Sequence, residues 1–192
     1  MNKTVYFEEL DSETKMALLA TVDKGLDYDK WKKCNTEENR SVIFELEEKD
    51  IIFKVLKEKG VRDVDINALI DLSGIKYFPK LYAYSERKYL FMEKAKGVSL
   101  HDLLLRKQIS NEELQLIKDQ VLDAYTEMLN RKRDEHDFKL EHIFWDTENQ
   151  KLTWIDLGFC EELVIYLPSK EKMIEKFEEQ FKEELIYYGV QI

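Results

Sequence analysis

The spacing of hydrophobic residues changes several times along the chain and predicts a series of helices and short strands. Residues 6–24 carry apolar side chains at helical intervals up to Gly25, which predicts one helix. Residues 28–34, 41–46 and 51–56 are short segments with apolar positions, separated by polar turns. This arrangement predicts an antiparallel meander of three strands.

A different order of elements follows in the rest of the chain. A short helical pattern covers residues 63–72, and two strand-like segments, 77–84 and 89–92, come after it. Two longer helices are predicted at about 111–133 and 169–188. The sequence therefore predicts an α+β fold, with an antiparallel five-stranded sheet first and a mainly helical part second.

A hairpin is predicted in the second part, next to two acidic residues. Residues 143–145 and 152–155 are apolar and short, and the segment 146–151 between them is entirely polar. A hairpin returns the chain to its starting point, so we expect Asp137 and Asp156 to face one cleft.

Composition and charge indicate a globular protein and argue against several kinds of binding. The sequence has 30 Lys and Arg against 40 Asp and Glu, a formal charge of −10, and its hydrophobic content of 44% indicates a globular protein. This negative charge disfavours general binding to nucleic acid or to an anionic membrane. Two cysteines, Cys34 and Cys160, form no disulfide framework and no zinc motif.

No segment of the sequence has the pattern of a membrane span or a Sec-type signal peptide. We therefore expect a cytoplasmic protein, either bacterial or delivered to a host cytosol by a route other than Sec.

The stretch from His136 to Gly158 resembles the catalytic and metal-binding loops of the protein-kinase-like superfamily, whose motifs are H-R-D-L-K-x-x-N and D-F-G. Asp137 matches the catalytic Asp, Lys139 matches the Lys, and Asp156 begins the D-F-G equivalent. Two positions depart from the motifs. His142 stands where the metal-binding Asn is expected, and Glu135-His136 replaces His-Arg.

The resemblance implies a role for each of these residues. Asp137 would accept the proton of the substrate hydroxyl, and Lys139 would steady the transferred phosphate. Asp156 would bind Mg²⁺. His142 would offer a neutral imidazole to the metal, and Mn²⁺ would suit that ligand better than Mg²⁺, which prefers oxygen.

The resemblance extends to the first half of the chain. Lys54 is the one charge within the apolar run of the third strand, and it matches the lysine that pairs with the nucleotide phosphates. Strand alternation places Lys54 on the same face as Ile52. In the family an acid on the following helix forms an ion pair with this lysine. Asp65 matches that acid, and Asp63 competes with it for the role.

Adenine recognition is expected at the end of the fifth strand. By resemblance, Met92 flanks the adenine pocket, and the backbone of Glu93 and Ala95 contacts the base. The first hairpin differs from the family because residues 34–40 contain no glycine. In place of glycine, Asn35 and Asn39 would adopt left-handed conformations and Arg40 would supply charge to the phosphates.

The whole chain, residues 1–192, is thus expected to be a single kinase-like domain with a bilobal fold. Residues 1–92 would form the N-lobe with an accessory helix, residues 93–97 the hinge, and residues 98–192 a truncated C-lobe. Small atypical kinases, such as bacterial effector kinases and lipopolysaccharide-sugar kinases, are the members that it resembles.

The resemblance implies an ATP-dependent phosphotransferase that moves the γ-phosphate to a hydroxyl, with a protein Ser or Thr as the predicted acceptor. The cofactors would be ATP and Mg²⁺ or Mn²⁺, and the partner a protein substrate. A pseudokinase that binds without turnover, a small-molecule kinase of the aminoglycoside or choline type, and an unrelated α+β scaffold are the alternatives.

Overall fold

The chain divides into two compact units in the computed structural model, which describes residues 1–34, 40–57, 63–163 and 168–190. The first unit comprises Met1–Gly74 and Pro79–Lys94, and the second comprises Ile75–Phe78 and Ala95–Ile192. The short stretch 75–78 therefore packs with the C-terminal half of the chain.

The first unit is built on an antiparallel sheet. Its strands are β1 (Asn2–Lys3), β2 (Trp31–Lys33), β3 (Ser41–Leu46), β4 (Ile51–Leu56), β5 (Leu81–Ser85) and β6 (Tyr89–Glu93). Their order across the sheet is β1-β5-β6-β4-β3-β2. The predicted five strands are present, and β1 adds a sixth at the edge, where Asn2 pairs with Tyr84. A two-residue strand is too short for an alternation pattern, so it could not be predicted from hydrophobic spacing.

Two helices replace the single helix predicted for residues 6–24. They are α1 (Val5–Glu9) and α2 (Ser12–Lys24). The prediction of one helix is wrong because Asp11 starts a new helix, accepting a hydrogen bond from the Thr14 amide at 2.8 Å. A residue that caps a helix has extended backbone dihedrals, so it interrupts any helix that precedes it.

The sheet carries two different rows of side chains across its central strands. Phe44, Phe53 and Phe91 lie side by side on one face and belong to a core cluster that also contains Phe7 and Leu18 of the two N-terminal helices. The next row is Ile43, Lys54 and Leu90. Successive residues of a strand point to opposite faces, so Lys54 lies on the face opposite the aromatic cluster, as the alternation predicted.

The fourth predicted strand begins later than expected. Residues 77–84 were predicted as one strand, whereas β5 starts at Leu81. Pro79 has no N–H to donate to a sheet, and the Tyr77 carbonyl accepts a hydrogen bond from the Trp154 amide in the second unit. Helix α3 (Val64–Asp71) precedes this segment and matches the predicted helix closely.

The second unit is mainly helical, with short strands between the helices. Its elements are β7 (Val98–Ser99), α4 (Leu100–Leu105), α5 (Asn111–Asn130), β8 (Arg133–Glu135), a 3-10 turn (Leu140–His142), β9 (Ile143–Asp146), β10 (Lys151–Trp154), β11 (Cys160–Glu162) and α6 (Lys170–Tyr187). The predicted hairpin is present as β9 and β10, with Lys151 opposite Asp146. In the described ranges, no helix combines the length and apolar character needed to cross a membrane.

An aromatic cluster forms the core of the second unit around Phe177 of α6. Its ring stacks on Tyr125 of α5 with centroids 4.0 Å apart, and it meets the ring of Phe138 edge-on at 5.0 Å. Trp154 of β10 packs against both Phe138 and Phe177. This cluster joins α5, α6 and the hairpin to the segment that contains Asp137 and Lys139.

Gly97 is required where β7 meets β9. Its φ is 85°, and a Cβ at this position would lie 1.9 Å from the backbone oxygen of Trp145.

We expect Gly97→Ala to lower the free energy of unfolding by about 3 kcal/mol, because the backbone must move to relieve the overlap. Chemical denaturation followed by circular dichroism measures this loss.

Gly74→Ala is the matched control for this prediction. Gly74 has nearly the same φ of 84°, but a Cβ there would meet only the Tyr6 hydroxyl, at 3.8 Å. The left-handed dihedral alone should cost about 1 kcal/mol. Equal losses for the two variants would show that the close approach to Trp145 is unimportant.

Candidate functional site

The segment before Asp137 is fixed by a pair of short strands. Strand β8 pairs with β11, with Glu135 opposite Cys160. The Arg133 guanidinium donates to the Cys160 carbonyl at 3.3 Å, and the buried Glu135 carboxylate accepts a hydrogen bond from the Asp137 amide at 2.8 Å. The loop that carries Asp137 is therefore tied at its start to the segment that follows Gly158.

The burial of Phe138 determines where the side chains of its two charged neighbours, Asp137 and Lys139, point. Its side chain is buried in the aromatic cluster of the second unit. The side chains of Asp137 and Lys139 lie together outside that core, with Lys139 Nζ 2.8 Å from Asp137 Oδ2, and both are partly exposed. The aromatic residue between the two charges thus anchors the loop and presents a carboxylate and an ammonium group to the surface.

His142 and Asp156 are held next to each other by the backbone. The His142 amide donates to the Lys139 carbonyl at 3.0 Å, and the His142 carbonyl accepts from the Ile155 amide at 2.9 Å. Since Ile155 precedes Asp156, this second bond fixes the distance between the two side chains. His142 Nε2 lies 3.6 Å from Asp156 Oδ2.

Asp156 has a backbone conformation that is unusual for a residue other than glycine. Its φ is 56°, in the left-handed region. Such conformations cluster at functional sites because they direct a side chain where a regular strand would not. The Asp156 side chain is 49% exposed, whereas that of His142 is 15% exposed.

The environment of His142 keeps its ring neutral. Burial lowers the pKa of the imidazole below its ordinary value, although the charge of Asp156 raises it. Lys139 also lowers the pKa of His142, and Asp137 raises it. The imidazole of His142 is therefore neutral at neutral pH.

The side chains of Asp156 and His142 could serve as ligands for a divalent ion that is also bound by a nucleotide. The described residues contain no cluster of three or more His, Cys, Asp or Glu side chains that would hold a metal unaided. Magnesium sites in phosphoryl-transfer enzymes use one or two protein ligands, and phosphate oxygens and water complete the coordination. Asp156 supplies one carboxylate of this kind, and the His142 imidazole is a nitrogen donor beside it.

In the first unit, Lys54 and Asp65 form a buried ion pair between β4 and α3. Lys54 is 7% exposed and Asp65 is 8% exposed. The competing acid, Asp63, precedes α3, and its carboxylate accepts a hydrogen bond from the Arg87 amide at 2.5 Å. The structure thus distinguishes the two acids between which the sequence left a choice.

The residues predicted to contact adenine lie at the end of β6 and beyond it. Met92 is half-buried and pairs across the sheet with Ile52. The Glu93 amide donates to the Lys80 carbonyl at 2.8 Å, so a backbone contact from Glu93 to a base would use its carbonyl. Ala95 is half-buried and is the first residue of this part of the second unit.

One predicted feature lies outside the described residues. Asn35 and Asn39, which were predicted to replace glycine in the first hairpin, belong to the segment 35–39, between the described ranges. Arg40 follows that segment and is exposed.

Sequence reasoning missed Glu135 and Phe138 as parts of the site. Glu135 was noted only as a departure from a motif, yet its carboxylate binds the Asp137 amide. The available signal for Phe138 was its place as the one apolar residue in the polar run of residues 131–139, which predicts a buried anchor. The sequence contains no comparable signal for Glu135, which is buried in the strand that pairs with β11.

Comparisons with known proteins decide the fold. No family model matches the sequence, and no curated protein matches it. The kinase PK-1 of Cydia pomonella granulovirus superposes with a TM-score of 0.59, at 16% sequence identity, over 79% of this chain. The chain has a protein-kinase-like fold.

A second solved structure resembles this kinase-like chain to a similar degree. WbdD superposes with a TM-score of 0.57, at 17% identity, over 78% of the chain. The kinase-like chain spans 58% of PK-1 and 37% of WbdD. The predicted α+β kinase-like fold is confirmed by these likenesses, and the unrelated α+β scaffold is excluded.

Proposed function

We propose that this protein is an ATP-dependent phosphotransferase that moves the γ-phosphate to a hydroxyl group, with Ser or Thr of a protein as the acceptor. The observation that carries the proposal is the buried pair of Lys54 and Asp65 within a kinase-like fold. A buried ion pair often stabilises a fold less than apolar residues of the same volume would. Structural stability therefore explains the pair poorly, and phosphate binding explains it well.

Asp137 is proposed to act on the attacking hydroxyl. Its carboxylate would orient the hydroxyl and accept its proton while the oxygen forms a bond to the γ-phosphorus. The bond between that phosphorus and the bridging oxygen breaks, and ADP leaves. The Lys139 ammonium, 2.8 Å from the Asp137 carboxylate, would balance charge on the transferred phosphoryl group.

The remaining residues would hold the nucleotide and its metal. Asp156 and His142 would ligate a divalent ion, and that ion neutralises charge on the phosphates when bound. Lys54, oriented by Asp65, would bind a phosphate oxygen. Met92 would flank the adenine, with the backbone of Glu93 and Ala95 as its hydrogen-bonding partners.

A pseudokinase is the second candidate, and two observations favour it. His142 replaces the expected Asn, and residues 34–40 contain no glycine to bring backbone N–H groups close to phosphate. The exposed Asp137–Lys139 pair opposes this alternative because binding alone requires neither residue. A small-molecule hydroxyl as acceptor remains the alternative to a protein hydroxyl.

The test measures binding and transfer separately. Calorimetry gives ATP affinity with Mg²⁺ or Mn²⁺ for the wild type, Asp156→Asn and Glu148→Gln. The last variant removes the same charge from an exposed position in the β9–β10 turn. Transfer from γ-labelled ATP is followed on the protein itself, on a panel of proteins and on small-molecule alcohols.

We expect the wild type and Glu148→Gln to bind ATP with metal and to transfer label, and Asp156→Asn to lose both properties. Metal-dependent binding without label on any acceptor would favour the pseudokinase. An absence of nucleotide binding in both metals would overturn the proposal.

A further inference from the structure

The C-terminal end of α6 carries an exposed aromatic surface. Tyr187 is 83% exposed, and its ring meets that of Tyr188 edge-on, with centroids 5.3 Å apart. Tyr188 is half-buried, and its ring in turn meets that of His101 in α4 edge-on at 5.3 Å. Because contacts with its neighbours already orient this tyrosine pair, a ligand that binds to it pays little entropy for ordering side chains.

Glu184 places a carboxylate one helical turn from both tyrosines. Residues three and four positions apart on a helix are neighbours on its surface, so Glu184 lies beside Tyr187 and Tyr188. The Tyr188 hydroxyl senses this carboxylate, because burial, the charge of Glu141 and the charge of Glu184 all raise its pKa. The last turn of α6 contains no basic residue, so none of its own side chains neutralises Glu184.

Acidic residues at this end of a helix do not stabilise the helix itself. The C-terminal end of a helix carries a partial negative charge, which favours Lys, Arg or His nearby. Helix α6 instead has Glu183 and Glu184 close to its end, in a chain with a net charge of −10. The helix end, the carboxylate and the aromatic faces all attract cations. This charge complementarity favours a basic partner over an apolar or an acidic one.

The aromatic surface adjoins the loop that carries the candidate catalytic residues. His101 contacts Tyr188 on one side, and its Nε2 atom lies 3.8 Å from Glu141 Oε1 on the other. Glu141 belongs to the same 3-10 turn as His142. The tyrosines and this loop therefore lie in the same region of the second unit, and we expect one extended peptide to contact both.

We propose that Tyr187, Tyr188 and Glu184 bind an arginine side chain of the protein acceptor, close in sequence to the hydroxyl that receives the phosphate. The inference rests on the proposed function, and it specifies the acceptor as a protein segment with a basic residue near Ser or Thr. A guanidinium group stacks on an aromatic face and donates two hydrogen bonds to a carboxylate, so it uses both features of the surface. The compact ammonium group of lysine should bind there more weakly.

Synthetic peptides with one serine test the inference. A single arginine is moved through the flanking positions of an otherwise uncharged peptide. At its best position it is then replaced with citrulline, which has nearly the same shape without the charge, or with leucine. Transfer from γ-labelled ATP gives kcat/KM for each peptide with the wild type and two variants, Tyr187→Ala and Glu184→Gln.

Each variant has a matched control. Glu183→Gln removes the same charge from the neighbouring exposed position of α6. Tyr28→Ala removes a tyrosine that is 76% exposed in the first unit. Unfolding midpoints establish that all four proteins are folded.

We expect arginine at its best position to raise kcat/KM about tenfold over citrulline in the wild type, mainly through KM. Glu184→Gln and Tyr187→Ala should lose most of this preference, whereas the two controls should keep it. Nuclear magnetic resonance measures binding without transfer. The ring signals of Tyr187 and Tyr188, assigned with tyrosine-to-phenylalanine variants, should shift with the arginine peptide and not with the citrulline peptide.

The results that would overturn the inference differ from those that would overturn the proposed function. If the wild type phosphorylates the peptides without preferring arginine, or if both variants keep the full preference, the surface does not bind arginine and the phosphotransferase proposal stands. A preference for leucine would show that the tyrosines bind an apolar side chain, which also overturns the inference. Ring signals that respond equally to the arginine and citrulline peptides overturn it even if no transfer occurs. An absence of nucleotide binding in calorimetry contradicts the proposed function itself.

Discussion

Replacing Asp137 with asparagine should lower the rate of phosphoryl transfer by about 10³-fold, while ATP affinity changes little. A positioned general base contributes about 10² to 10⁴ to a rate, and asparagine cannot accept the hydroxyl proton. The Asp137 side chain is partly exposed and is bonded to Lys139 rather than to the core, so the fold should survive the change. Single-turnover transfer from γ-labelled ATP gives the rate, and calorimetry gives the affinity.

Glu141→Gln is the control for Asp137→Asn. It removes the same charge from an exposed position of the same loop, four residues further on. Its rate should stay close to that of the wild type. Comparable losses in the two variants would mean that the net charge of the loop matters and that Asp137 has no specific role as a base.

Much of the candidate site followed from local sequence patterns. The β9–β10 hairpin was predictable because two apolar segments flank a polar turn, and the observed pairing of Asp146 with Lys151 matches it. The face on which Lys54 lies followed from strand alternation. Both features depend on residues close together in sequence, where spacing is informative.

Features that depend on tertiary contacts could not be predicted from the sequence. Strand β8 consists of Arg133, Asp134 and Glu135, three charged residues that no hydrophobic pattern marks as a strand. Two of them are buried because strand β11 and the Asp137 loop supply their partners. The demand for glycine at position 97 likewise arises from the backbone of Trp145, which is distant in sequence.

The spacing of residues in the sequence could not show whether Asp63 or Asp65 pairs with Lys54. Both acids lie at the start of the predicted helix, and neither periodicity nor charge separates them. The structure separates them because Asp63 precedes the helix with a left-handed φ of 49°, and only Asp65 lies on the buried side of α3. Local backbone geometry decided the pairing.

Asp65→Leu should lower the free energy of unfolding by about 3–5 kcal/mol, because it leaves the Lys54 ammonium buried without its carboxylate partner. Lys54→Met should be destabilising in the same way, because it leaves the Asp65 carboxylate buried. The double variant Lys54→Met/Asp65→Leu replaces both charges with apolar groups. Its stability should approach or exceed that of the wild type, so the two single losses should not add.

An exposed ion pair of the first unit is the control for this prediction. Lys80 and Glu9 lie 2.8 Å apart, with about half of each side chain exposed. Glu9→Ala should lower the free energy of unfolding by at most about 1 kcal/mol, because water screens the pair. Urea denaturation of all four variants measures the differences. If Asp65→Leu and Glu9→Ala lose similar amounts of stability, or if the double variant loses the sum of its two single variants, Lys54 and Asp65 are not coupled as a buried pair. The pair then gives no support to phosphate binding by Lys54.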